Sequence, residues 1–192
     1  MLGEIGISVF RHVGGHSLSE TMRTFDELST DLTTQLRGVG TQKVPAVNLL
    51  QLREVQWNKA LLGRIAAQEA IDAIFANVPT VRRKLTVQPN GVALFGRKGA
   101  AVRPVCLTFN EESAETLVEE RDGIRTTLEV MTDADPSSFD WMRDSQPHLA
   151  LGKINPRVSR EKIASLISGL EEICPTELVL CRATLHNPYD NS

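Results

Sequence analysis

The sequence predicts an α+β fold of two pseudo-symmetric lobes, each an antiparallel sheet flanked by helices. The first observation is the order of the predicted elements, which is β-α-β-α-β-β-β-α-β-α-β. The second is an approximate duplication, because a strand, a long helix and further strands occur in each half of the chain. The composition, 41% hydrophobic and 23% charged, is typical of a globular protein. We therefore expect a single domain over residues 1–192, with lobes of approximately 1–100 and 101–192.

In the first half, β-branched and aromatic residues predict a strand over residues 2–13, which Gly14-Gly15 ends. Apolar residues three or four positions apart then predict a helix over residues 18–36. The same two patterns predict a strand over residues 43–55 and a helix over residues 57–78.

The second half begins with a group of short strands, since turn sequences separate three β-rich segments. A long helix follows, with Gly123 as a potential break point, and then a loop rich in Asp, Ser and Pro. The predicted strands are 83–87, 91–96, 102–109, 148–154 and 177–185, and the predicted helices are 110–131 and 159–173.

Charge and cysteine content exclude several classes of protein. A formal net charge of −3 argues against a protein that coats nucleic acid, although a few arginines at a cleft can still hold an RNA end. No apolar run approaches the ~20 residues that span a bilayer, and no secretory signal is visible. Three scattered cysteines without a CxxC spacing predict free thiols in the cytoplasm rather than a metal site. We expect no cofactor.

Two segments, one in each half of the chain, have a similar pattern. Each lies at the start of a predicted strand, and each has a proline followed by the candidate motif residues. Residues 44–48 read VPAVN, and residues 147–151 read PHLAL. This pair resembles the two motifs of the two-histidine phosphoesterase superfamily, which includes bacterial 2′-5′ RNA ligases and cyclic phosphodiesterases. The resemblance extends in architecture from about residue 5 to residue 185. It implies two His-x-Thr/Ser motifs, one on each lobe, that face each other across a central cleft.

Only part of that motif chemistry is present. The resemblance makes His148 the general acid or base of the second motif, while Ala150 replaces its hydroxyl residue. In the first motif, Ala46 stands at the histidine position and Asn48 at the hydroxyl position. Asn48 can donate an amide hydrogen bond to a phosphate oxygen but cannot accept a proton near pH 7. Losing one proton-transfer group typically lowers the rate ~10²–10⁴-fold.

Three interpretations of Ala46 are open. The domain can be a degenerate member that binds an RNA end or nucleotide without turning it over. His148 can instead have another partner, with His186, His12 or His16 folded into the cleft. Finally, Ala46 can be an engineered substitution that traps a substrate, although the missing hydroxyls in both motifs favour natural divergence.

Further residues are candidates for binding the phosphate and the base. Arg97, Arg103 and Lys153 are the cations expected near a bound phosphate, and Trp141, just before His148, is the aromatic residue expected to stack on a base. The expected ligand is an RNA end or nucleotide with a 2′,3′-cyclic or 2′-5′ phosphate. We expect no membrane partner, and the sequence does not indicate the oligomeric state.

Three functional hypotheses follow. The resemblance favours an enzyme, a phosphoesterase whose activity is reduced or lost. The alternative is a noncatalytic module that binds a nucleotide or RNA end in the same cleft. A third hypothesis is a globular interaction domain without a nucleotide ligand.

Overall fold

The fold is described from a computed structural model, in which residues 7–29, 40–41, 45–52, 67–96, 100–132, 146–155, 157 and 159–186 are considered. Within these residues the helices are α1 (Ser19–Ser29), α2 (Ala67–Asn77), α3 (Glu111–Thr132) and α4 (Arg160–Glu172), with a 3₁₀ helix at Pro79–Arg82. The strands are β1 (Ile7–His12), β2 (Gly40–Thr41), β3 (Ala46–Leu52), β4 (Leu85–Val87), β5 (Pro89–Leu94), β6 (Arg103–Phe109), β7 (His148–Ile154), β8 (Leu178–Leu180) and β9 (Thr184–His186).

The main sheet is antiparallel and has two equivalent halves. Its strand order is β5-β6-β7-β3-β1-β9, with β2 paired to β7, while β4 and β8 form a separate small sheet. The strand order divides between β3 and β7 into two sets of three strands, β9-β1-β3 and β5-β6-β7. The predicted α+β class is therefore confirmed.

The two halves of the sheet exchange strands between the two halves of the chain. β5, from the first hundred residues, pairs with β6, while β9, near the C-terminus, pairs with β1. The halves of the sheet therefore do not coincide with the chain segments 1–100 and 101–192. The motif strands β3 and β7 are neighbours in the middle of the sheet.

One face of the sheet is covered by the helices. α1 contacts β7 and α4, α4 contacts β5, and α3 contacts β3 and α2. The inward residues of the strands are apolar and buried against these helices: Val9, Val47, Leu49, Val105, Leu107, Leu149 and Leu151. Because side chains alternate along a strand, the residues between them lie on the opposite face.

Two of the element predictions were wrong in detail. The helix α3 continues through Gly123, which lies against the Val78 side chain, so tertiary packing outweighs the local helix cost of glycine. The predicted strand over 177–185 is divided, because Cys181 and Ala183 bond to His12 and Val81 rather than continuing one ladder. Within the described residues, no helix is both long enough and apolar enough to cross a bilayer.

A buried ion pair ties β1 to the helices. Arg11 lies between two outward residues of β1 and points into the core, where both its side chain and that of Glu120 on α3 are almost completely buried. The guanidinium donates five hydrogen bonds of 2.5 to 2.8 Å, two to the Glu120 carboxylate and three to backbone carbonyls of Thr80, Arg83 and Cys181. All five of its N–H donors are therefore used.

Candidate active site

The two motif segments lie side by side on the central strands. Val47 of β3 is the register partner of Leu149 of β7, and the strands are antiparallel. Continuing that register by one residue in each direction places Asn48 beside His148 and Ala46 beside Ala150. Val47 and Leu149 are both fully buried, so the other four residues share the face away from the helices.

His148 is held by two neighbours. Its ring stacks on Phe95, with the ring centroids 4.4 Å apart and the planes 27° apart. Its Nδ1 lies 2.9 Å from the carbonyl oxygen of Gln146. A carbonyl oxygen can only accept, so Nδ1 carries the hydrogen and Nε2 is the nitrogen available for proton transfer.

On the other side of β7, β6 contributes Thr108 and Cys106, the register partners of His148 and Ala150. The Thr108 hydroxyl donates to the side-chain oxygen of Asn90 at 2.7 Å. Burial raises the pKa of the Cys106 thiol to about 12, so it stays protonated at neutral pH. Cys106 is therefore excluded as a thiolate nucleophile for this site.

On the far side of β3, β1 brings a second histidine to the same face. Phe10 is the register partner of Asn48, and His12 is the register partner of Ala46. The rings of Phe10 and His12 touch edge to face, with centroids 4.7 Å apart. The His12 Nδ1 is buried and has no hydrogen-bond partner.

His12 was one of three open partners for His148 in the sequence, and no motif distinguished it. A period-two signal existed, since Phe10 and His12 alternate with Val9 and Arg11, but only the strand register places His12 beside Ala46. His16 lies in the turn between β1 and α1 and is exposed. The backbone of His186 pairs with Ser8, and its side chain lies outside the described part of the chain.

Of the cations predicted to bind phosphate, the two that the structure describes, Arg103 and Lys153, do not lie directly beside His148. The Arg103 guanidinium donates to the backbone carbonyls of Phe95 and Leu94, which holds the end of β5. Lys153 is exposed, but it lies five residues along β7 from His148, or ~17 Å at the rise of an extended strand. The predicted phosphate contact Arg97 and the stacking residue Trp141 lie outside the described residues.

An open cavity of about 540 Å³ lies at the β9 edge of the sheet, lined by Phe75, Arg82, Arg182, Ala183 and Thr184. Arg82 packs over the Phe75 ring, 5.6 Å from its centroid. Thr184 is the register partner of Phe10, so this cavity begins two strands away from Asn48. Within the described ranges, no group of three or more His, Cys, Asp or Glu residues is arranged to hold a metal ion.

Comparison with known proteins identifies the fold. No protein-family model matches the chain, and no curated protein sequence matches it. Three similar solved structures cover nearly the whole chain. Kluyveromyces marxianus Usb1 has a TM-score of 0.58 at 9% identity, covering 100% of this chain and 97% of its own.

The other two structures contain nucleotides. The same Usb1 with uridine monophosphate has a TM-score of 0.55 at 12% identity, covering 98% of this chain and 95% of its own. Escherichia coli LigT complexed with 3′-AMP has a TM-score of 0.52 at 9% identity, covering 96% of this chain and 88% of its own. Usb1 and LigT both belong to the two-histidine phosphoesterase superfamily. The resemblance predicted from the two strand segments is therefore confirmed at the level of the fold.

Proposed function

We propose that this chain, which has the two-histidine phosphoesterase fold, acts on RNA ends or nucleotides with a 2′,3′-cyclic or 2′-5′ phosphate, using His148 as general acid or base. The observation that carries the proposal is the register of β3 and β7, in which His148 and Asn48 are neighbours on the face of the sheet away from the described helices. The similar structures with uridine monophosphate and 3′-AMP support a nucleotide as the ligand.

The surroundings of His148 suit proton transfer to or from a bound phosphate ester. The Gln146 carbonyl fixes Nδ1 as the protonated nitrogen, so Nε2 is left to exchange a proton with the substrate. Asn48 is exposed, and its amide can donate a hydrogen bond to a phosphate oxygen beside that nitrogen. Ala46 and Ala150 present only methyl groups, so they leave room for the phosphate on this face.

The placement of the other predicted contacts belongs to the same proposal. Arg97 and Lys153 would bind phosphates farther along an RNA strand, and Trp141 would stack on a base. Arg103 would act by holding Phe95 against His148, since its N–H groups are bonded to the backbone there. The three free thiols accord with the cytoplasm as the place of action.

Ala46 favours one alternative, a noncatalytic module that binds a nucleotide or RNA end. The hydroxyl positions of the two motifs are occupied by Asn48 and Ala150, which have no hydroxyl group. The histidine position on β3 is occupied by Ala46, which cannot transfer a proton. If nothing replaces that group, the expected loss is ~10²–10⁴-fold in rate while the phosphate contacts remain. Such a protein would retain its ligand rather than release a product.

A paired assay tests the proposal and separates it from the alternative. The wild-type chain and His148→Ala are incubated with 2′,3′-cyclic nucleotides and a 2′-5′-linked dinucleotide, with His16→Ala as the matched exposed-histidine control. We expect wild-type turnover that falls ~10²-fold or more in His148→Ala and is unchanged in His16→Ala, because His148 transfers a proton and His16 does not.

Binding measured on the same proteins decides between the remaining outcomes. Saturable binding of 3′-AMP or uridine monophosphate without turnover would favour the noncatalytic module. If neither nucleotide binds and no substrate is cleaved, the proposed function is wrong.

A further inference from the structure

We propose that His12 on β1 supplies the second proton-transfer group that the first motif has lost at Ala46. This inference rests on the proposed function of the His148 site. It assigns to the reaction a residue that lies outside both motif strands.

The register of β1 places His12 where such a group can work. His12 is the direct partner of Ala46 and shares its face of the sheet. With strands ~4.8 Å apart and a rise of ~3.4 Å per residue, a histidine at position 46 would have its Cα ~8 Å from that of His148, whereas His12 has its Cα ~12 Å away. His12 is thus displaced from position 46 by the spacing of one strand.

The residues between the two histidines are small enough to admit a phosphate. The line from His12 to His148 crosses β3 between Ala46 and Asn48, according to the register of the three strands. Ala46 adds only a methyl group there, so both imidazoles can lean toward a phosphate bound over β3. Asn48 lies beside that line and can donate to a phosphate oxygen.

The neighbours of His12 hold its ring on the face of the sheet that carries Ala46. The Phe10 ring contacts the imidazole from one side, and the buried Arg11 fixes the strand between them. The Nδ1 atom of His12 is buried without a hydrogen bond, but the side chain as a whole is only half-buried. The accessible part of the imidazole can therefore meet a phosphate bound over β3.

For hydrolysis of a 2′,3′-cyclic phosphate, the two histidines would act as a pair. One neutral imidazole removes a proton from water while the water oxygen forms a bond to phosphorus. The other, protonated imidazole gives its proton to the ribose oxygen whose bond to phosphorus breaks. The product is a ribose hydroxyl and a phosphate monoester, and the pair returns to its starting protonation by exchange with solvent.

Substitution of His12 tests this role. Glutamine and asparagine keep a polar side chain that can form hydrogen bonds but cannot transfer a proton. We expect His12→Gln and His12→Asn each to lower kcat for a 2′,3′-cyclic nucleotide ~10²–10⁴-fold with little change in KM. His16→Gln is the matched control. It should keep the wild-type kcat, since His16 is exposed in the turn between β1 and α1.

A second measurement does not depend on how the variants fold. In the wild-type chain, addition of uridine monophosphate should shift the NMR imidazole resonances of both His12 and His148 and leave those of His16 unchanged. Loss of turnover in His148→Ala but not in His12→Gln, or a shift of His148 alone, would overturn this inference and leave the proposed function intact. Absence of turnover in the wild-type chain would overturn both the proposed catalysis at His148 and the proposed proton transfer by His12.

Discussion

At the scale of single residues, one hydrogen bond decides which nitrogen of His148 can act. The Gln146 carbonyl accepts a hydrogen bond from Nδ1 at 2.9 Å, and the Phe95 ring covers one face of the imidazole. Neighbours of this kind fix the tautomer and the orientation of a catalytic histidine. The orientation of the imidazole, and with it the direction of Nε2, therefore depends on these two neighbours.

Replacing Phe95 by leucine tests that dependence. Leucine keeps an apolar side chain beside His148 but offers no flat ring, so the imidazole gains freedom to rotate. An aromatic pair contributes ~0.5–1.5 kcal/mol beyond its buried area, which corresponds to a ~2–10-fold fall in kcat/KM for the cyclic nucleotide. Steady-state kinetics measures this fall in kcat/KM, and an unchanged melting temperature shows that the variant is folded. Wild-type kcat/KM in a folded variant would contradict the positioning role.

At the scale of elements, β1 supports the core and the site with alternate residues. Arg11 faces inward and uses all five of its donors, whereas Phe10 and His12 face outward beside β3. A buried charge without its partner is strongly unfavourable, so the pair with Glu120 fixes both the position and the rotation of the strand. The outward direction of His12 is a consequence of that inward anchor.

Arg11→Met should therefore be severely destabilising. The substitution leaves the Glu120 carboxylate buried without a counter-charge, for which we expect a loss of ~3–5 kcal/mol in the free energy of unfolding, measured by urea denaturation. Arg23→Met is the matched control, since Arg23 forms an exposed ion pair with Glu27 and its loss should cost at most ~0.5 kcal/mol. Equal midpoints for the two variants would contradict the anchoring role of Arg11.

Most elements were predictable from local pattern, because alternating apolar residues are sufficient to identify strands such as β3 and β7. The interruptions were not. Gly123 has low helix propensity, yet it continues α3 because Val78 packs against it. The division between β8 and β9 depends on hydrogen bonds to His12 and Val81, which are distant in sequence. Both features depend on tertiary partners that a local window does not contain.

At the scale of the whole molecule, the strand order of the sheet brings the candidate site together. β3 and β7 are the central neighbours, while the edge strands β5 and β9 each pair with a strand from the other half of the chain. The two Usb1 structures are similar to this fold at only 9% and 12% identity, since a fold requires a pattern of buried residues rather than particular side chains. A shared fold does not by itself imply a shared activity.

The same distinction explains which part of the candidate site could be predicted from the sequence. His148, Ala46, Asn48 and Ala150 could be proposed because each lies in a motif segment at the start of a strand. The pairing of His12 with Ala46 was not identifiable, because it depends on the register of β1, including the shift between Val9 and Phe10. A one-residue change of register would turn His12 toward the core.

The most direct test of the account is to return a histidine to β3. In a His12→Gln background, Ala46→His places an imidazole on the motif strand, diagonally across from His148 on the same face. If β3 and β7 form one phosphoesterase site, this double variant should cleave a 2′,3′-cyclic nucleotide ~10²-fold or more faster than His12→Gln alone. The gain should disappear when His148→Ala is added. Equal rates for His12→Gln and the folded double variant would contradict the claim that the two strands share an active site.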